Sequence, residues 1–140
     1  MANQLTNTGR EAFLVASQGW VAGSVPGTHV PYILGSMGNA VPGIVFLSDI
    51  TSAVWRARGT YLVSKTTASG IADAADTTLA GVGSAGSATA VYIALVNETG
   101  ASQTSLVTAV IDTASGLPFL PNGGDVQVVW DDGASKIFKL

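Results

Sequence analysis

Asp112-Thr113-Ala114-Ser115-Gly116, entered through the apolar Ala109-Val110-Ile111, is where the residue types of this chain come closest to catalytic chemistry. An Asp at a strand end followed by Thr and a tight turn is the arrangement of aspartic proteases. There two carboxylates share one proton, and a second copy of the chain would supply the other Asp. Ala114, however, stands where that turn takes Gly, and the chain runs on into Leu117-Pro118 as a hairpin connector. An ordinary turn is the expectation.

Other stretches invite the same comparison. Gly81-Val82-Gly83-Ser84-Ala85-Gly86 fits G-x-G-x-x-G, but a dinucleotide site needs a helix after the glycines to receive the pyrophosphate. The chain continues instead into the β-patterned TAVYIALV, so a plain loop is expected. The pairs Asp73/Asp76 and Asp131/Asp132 have the oxygens a calcium ion takes, yet each sits in a turn, where Asp is favoured for its local hydrogen bonds. His29 is the only histidine, and no Gly-x-Ser-x-Gly elbow accompanies it as a nucleophile. Asn97-Glu98-Thr99 is an acceptor sequon that matters only in a secreted protein. There is no cysteine, hence no disulfide framework and no thiolate metal site. The expectation is a protein that is not an enzyme, with no catalytic residue, no cofactor and no metal.

The elements that would position these groups read as β-structure. Within 104–140, Val107, Ala109 and Ile111 alternate with Thr108, Val110 and Asp112, the period of two that puts alternate residues on opposite faces of a strand. Pro118 and Pro121 bracket a connector that cannot be a central strand. Asn122-Gly123-Gly124 supplies turn residues, and 125–130 alternates again, with Val126, Val128 and Trp130 on one face. Asp131-Asp132-Gly133 is a second turn, and 136–140 a short closing strand.

Upstream, residues 1–7 read as a polar arm. Thr8 and Glu11 have capping-box spacing, which predicts a short helix through Ser17 with Gly19 as its stop. Residues 18–45 are rich in loops, with one strand at 30–34 that Pro31 assigns to a sheet edge. The 43–47 stretch is an apolar run, 50–58 is ambiguous between helix and irregular chain, and 60–65 is β-prone. Short strands flank a turn at 73–76, and 89–96 is the strongest strand in the middle, with Val91, Ile93 and Leu95 opposed to Tyr92 and Val96. Short strands with turn signals every ten residues or so, and almost no helix, predict one all-β domain over 1–140. It is a β-sandwich or barrel of short antiparallel strands with one short N-terminal helix.

Composition narrows the partners. The formal net charge of -3 argues against nucleic acid, and no segment approaches the ~18–20 apolar residues of a membrane helix. The first residues lack the basic start and apolar run of a signal peptide, so synthesis in a cytoplasm is expected. Only 11% of residues are charged, against roughly 25% in ordinary chains. So bare a surface fits one that lies against another chain.

NTGREAFL near the start, FLSDI at 46–50, GIADAADTTLAGV at 70–82 and above all IDTASGLPFLPNGGDVQVVWDDGASKIFKL at 111–140 resemble the cement, or decoration, proteins of tailed bacteriophages. The resemblance is weakest over 18–45. It implies a jelly-roll-like β-domain, often a homodimer, on the exterior of the virion capsid, tying neighbouring major capsid proteins together without chemistry. A tail or fibre component and a carbohydrate-binding module, with Asn39 and Asp49 near Trp55 as the only sugar-site candidates, are the other readings. The arm and the apolar residues of the loop-rich part, Trp20, Tyr32, Leu34 and Met37, are the expected interface.

Overall fold

The computed structural model describes residues 4–14, 20, 28–38, 41–84, 87–134 and 136–139. Its elements are β1 (Gln4–Leu5), α1 (Asn7–Leu14), β2 (His29–Leu34), β3 (Trp55–Arg58), β4 (Thr66–Ala68), β5 (Ile71–Asp73), β6 (Thr77–Leu79), β7 (Tyr92–Asn97), β8 (Leu106–Ile111), β9 (Val126–Val128) and β10 (Phe138–Lys139). All strand pairings are antiparallel. The expected all-β class, with short strands and one short N-terminal helix, is what the described residues form.

A five-stranded sheet in the order β1-β8-β7-β2-β3 is the centre, with β10-β5-β4 and β6-β9 as smaller sheets. Both faces of the central sheet are buried. Ile33, Ile93, Leu95, Ala109 and Ile111 pack with Ala72 of β5, Leu79 of β6 and Val128 of β9. On the opposite face Val30, Leu34, Val96 and Val107 pack under Val41, Ile44, Leu47 and Ile50, a stretch of short 3-10 turns at Val41–Gly43 and Leu47–Asp49. Alternation in β7 therefore sends Ile93 and Leu95 to one core and Tyr92, Ala94 and Val96 to the other, as expected, although β7 begins at Tyr92 and leaves Val91 outside the strand. In β9, Val126, Val128 and then Trp130 face the first core while Val129 is exposed, also as expected.

Several expectations fail for identifiable reasons. In β8 the register jumps from Leu95↔Ala109 to Val96↔Val107, leaving Thr108 as the extra residue of a β-bulge. Val107 consequently shares a face with Val110 rather than with Ala109. The described part of the N-terminal arm is not an arm. Gln4 and Leu5 pair with Val110 and Ala109, and Thr6 is fully buried against the bulge. The helix cap is this Thr6, not Thr8: its Oγ1 accepts from the Gly9 N–H at 2.8 Å and donates to the Val107 carbonyl at 2.6 Å. The expected stop at Gly19 lies outside the described residues.

Pro31 lies in an interior strand, not at an edge. Its carbonyl accepts from Gly59 N–H at 2.8 Å, just past the end of β3. The N–H that proline lacks thus faces the place where the neighbouring strand is leaving, and Arg58 Nη1 donates to the Gly59 carbonyl in its stead, at 3.0 Å. Residues 60–65 form no strand, and β4 comes after them instead. The strands around 73–76 do form, but they join different sheets rather than one hairpin: β5 pairs β4 and β10, and β6 pairs β9.

Candidate interaction groove

Several of the residues singled out for chemistry (the loop at 81–84, Asp73, Asp76 and Asp49) are engaged in local and cross-strand hydrogen bonds, while His29 is buried in β2. The Gly81–Ser84 amides that a phosphate would use are already bonded. Gly81 N–H donates to Asp125 Oδ1 at 3.0 Å, Val82 to the Gly124 carbonyl, Gly83 to the Arg56 carbonyl at 2.9 Å and Ser84 to Ser87 Oγ. The next regular element is the strand β7, not a helix. Asp76 Oδ1 accepts from Trp130 N–H at 2.9 Å. Asp73 pairs with Lys136 at 2.7 Å, and that ammonium holds its carboxyl below the ordinary range. Asp49 Oδ2 accepts from the Val45 and Phe46 amides. Trp55 meets Tyr32 edge-to-face at 5.5 Å; Asn39 lies outside the described residues. Among the described residues no group of three or more His, Cys, Asp or Glu could hold a metal, and no helix is long and apolar enough to cross a membrane.

The expected interface residues need correction. Trp20, Tyr32 and Leu34 are 6%, 4% and 0% exposed. They are apolar because the chain's own two cores take them: Trp20 packs in the first, Tyr32 and Leu34 in the second. They offer no face to a partner, and replacing them with Ala would test folding rather than binding. Met37 is half-buried beside the second core.

What the structure offers instead is an open groove of about 1560 Å³. Leu5, Ile33, Ile93, Ala109 and Ile111 of the central sheet lie beneath it, and the last four are no more than 7% exposed, so a partner would meet chiefly the half-buried residues of the walls. Leu117, Phe119, Val126, Val128, Ile137 and Phe138 wall it, together with Trp130, whose indole nitrogen is buried with no hydrogen-bond partner among the described residues. The rim carries both signs of charge: Arg10, Lys136 and Lys139 against Asp131 and Asp132. Thr113, Ser115 and Gly116 of the protease-like stretch also line it. Gly116, at φ +92, serves a turn closed by the Leu117 N–H to Ala114 carbonyl bond. Two strands present an edge beside this groove, because among the described residues β9 pairs only with β6 and β10 only with β5. Sequence reading locates these strands but not the space between them, since that depends on pairings between β6 and β9 some fifty residues apart.

A second constellation escapes the sequence entirely. Glu98, directly after β7, accepts a bidentate pair from Arg58 Nε (2.8 Å) and Nη2, and a hydrogen bond from the Tyr32 hydroxyl. The Arg58 guanidinium is the main cause holding the Glu98 carboxyl below its ordinary value, with Tyr32 adding to it. Burial, and then Glu98, push the Tyr32 hydroxyl up to about 12, so it remains a donor at any working pH.

Compared with models of known protein families and with curated proteins, the sequence matches none.

Proposed function

We propose that this chain is a structural virion protein that binds the outside of a tailed-phage capsid and cements neighbouring major capsid proteins, acting as a homodimer and by contact alone. One observation carries the reading: the block 111–140, on which the resemblance to cement proteins is most specific, also supplies most of the walls of the apolar groove. At about 1560 Å³ the groove exceeds the roughly 300–1,000 Å³ of sites for single small molecules, and its size suits a piece of another polypeptide. The scarcity of charge, 11% of residues, fits a surface that spends its life covered. A protein that binds the assembled shell but not its separated subunits stabilises the shell by mass action, and many equivalent sites multiply a modest term.

The molar ratio of this chain to the major capsid protein in purified virions, by quantitative mass spectrometry, tests this. A ratio near one supports cementing; a few copies per particle would mean a tail or fibre component. Absence would overturn both. Ile137→Gln, which places an amide on the groove wall while its backbone bond to the Ala72 carbonyl is kept, should weaken binding to emptied capsids about tenfold or more. Its circular dichroism should match that of the unaltered chain.

A further inference from the structure

The one histidine of the chain sits where water does not reach. His29 opens β2 and is 0% exposed. Trp20 covers it, with ring centroids 4.8 Å apart and planes at 51°. Trp20 is held in turn by its indole N–H, which donates to the Asp73 carbonyl of β5 at 2.9 Å. Phe138 of β10 packs edge-on against the same indole at 5.2 Å, and Phe138 lines the groove. A row of packed rings thus connects the end of the central sheet to the groove wall.

We propose that His29 is an acid-sensitive latch, whose protonation displaces Trp20 and frees β10, opening the C-terminal wall of the groove. The physical conflict is local. An imidazolium buried here loses its hydration, a cost that the attraction of the indole face for a cation only partly offsets. Burial pushes the imidazole down from 6.5 to about 3, and the Lys65 ammonium, 5.8 Å over the Trp20 ring, adds repulsion. Lys65 belongs to the segment whose Leu62 N–H donates to the His29 carbonyl at 2.8 Å. From β7, the residue after His29's strand partner Asn97 is Glu98, engaged by Arg58 and Tyr32. From β5 and the approach to β10, Asp73 and Lys136 are joined to each other. Residues 15–19 and 21–27 contain no ionisable side chain.

The sign comes from the lowered value. Above pH 6.5 both closed and open states hold a neutral imidazole, and pH has no effect through it. As pH falls from 6.5 toward 3, the open state binds a proton that the closed state refuses, so opening is favoured about tenfold per pH unit. The latch does not depend on what the groove binds.

A single histidine gives a single imidazole Cε1–H resonance, so its titration in the intact protein is read without ambiguity. Hydrogen exchange of the Trp20 indole N–H and of the Ile137 amide, bonded to the Ala72 carbonyl, reports opening. Below pH 6.5 the opening of both should rise about tenfold per pH unit, while amides of β7 and β8 stay protected. The dependence should flatten in His29→Gln; in Lys65→Met it should keep its slope but level off at a higher pH, because the lost ammonium no longer lowers the closed-state imidazole. Ordinary imidazole titration near 6.5 with both protons still protected would overturn the latch. So would pH-independent opening, or simultaneous loss of protection throughout the sheet. If His29→Gln fails to fold, the measurements on the unaltered chain decide alone.

Discussion

Replacing Gly9 with Ala should destabilise the protein, by about 1–3 kcal/mol, although the same change inside an exposed helix stabilises by roughly 0.5–1 kcal/mol. Gly9 is in the first turn of α1, and a Cβ there would stand 2.5 Å from the Thr108 carbonyl oxygen and 2.9 Å from Thr6 Oγ1. Neither neighbour can yield cheaply. Thr108 is the bulge residue of β8, and its carbonyl accepts from Thr6 N–H at 3.1 Å. Thr6 Oγ1 is the helix cap and is also anchored to Val107. The clash therefore strikes the cap, the bulge and the attachment of β1 at once. Thermal unfolding checks it, with a fall of roughly 3 °C per kcal/mol for a chain of this size. Gly38→Ala is the matched control, since a Cβ there meets nothing within 4 Å; it should leave the midpoint unchanged or raise it slightly. A rise in Gly9→Ala would show that α1 is not seated on the bulge.

That helix shows where legibility ends. NTGREAFL is visibly helical, and the Thr and Glu spacing draws the cap to Thr8, because capping boxes are local signals. The cap at Thr6 is chosen by a tertiary contact with residues about a hundred positions away, and no local pattern encodes it. The bulge at Thr108 is similar: TSLVTAVI alternates regularly, and only pairing with β7 shows that the alternation slips. By contrast the faces of β7 and of 126–130 are legible, since burial on those faces is carried by the residues themselves. The expected interface fails for a related reason. Apolar residues without a strong period look like surface anchors, whereas β2 is buried on both faces, and a doubly buried strand has no polar alternation to display. The groove is legible only in its parts, because its shape depends on which short strands pair.

The second large effect should come from Glu98. Glu98→Ala removes the acceptor for the Tyr32 hydroxyl, which lies in a residue only 4% exposed, and breaks the Arg58 pair. Hydrogen bonds to a charged partner contribute about 1.5–3 kcal/mol, and a buried hydroxyl left without an acceptor costs a comparable amount. Arg58 adds less, since its side chain is 46% exposed and screened by solvent, against 10% for Glu98. A loss of about 2–3 kcal/mol is expected, read by urea unfolding at neutral pH. Tyr32→Phe should account for part of it, and the double variant should lose less than the sum, because the two changes remove one bond. The carboxyl is held below its ordinary value of 4.5, so its contribution is complete above that value and is lost as pH falls below it. Glu98→Gln should therefore lie below the unaltered protein at neutral pH and approach it in acid below 4.5. Any pH dependence between 6.5 and 4.5 must persist in that variant, since His29 supplies it. If Glu98→Gln instead abolished the dependence above 4.5, proton uptake there would belong to the carboxylate cluster, and the separate roles of the two sites would collapse into one.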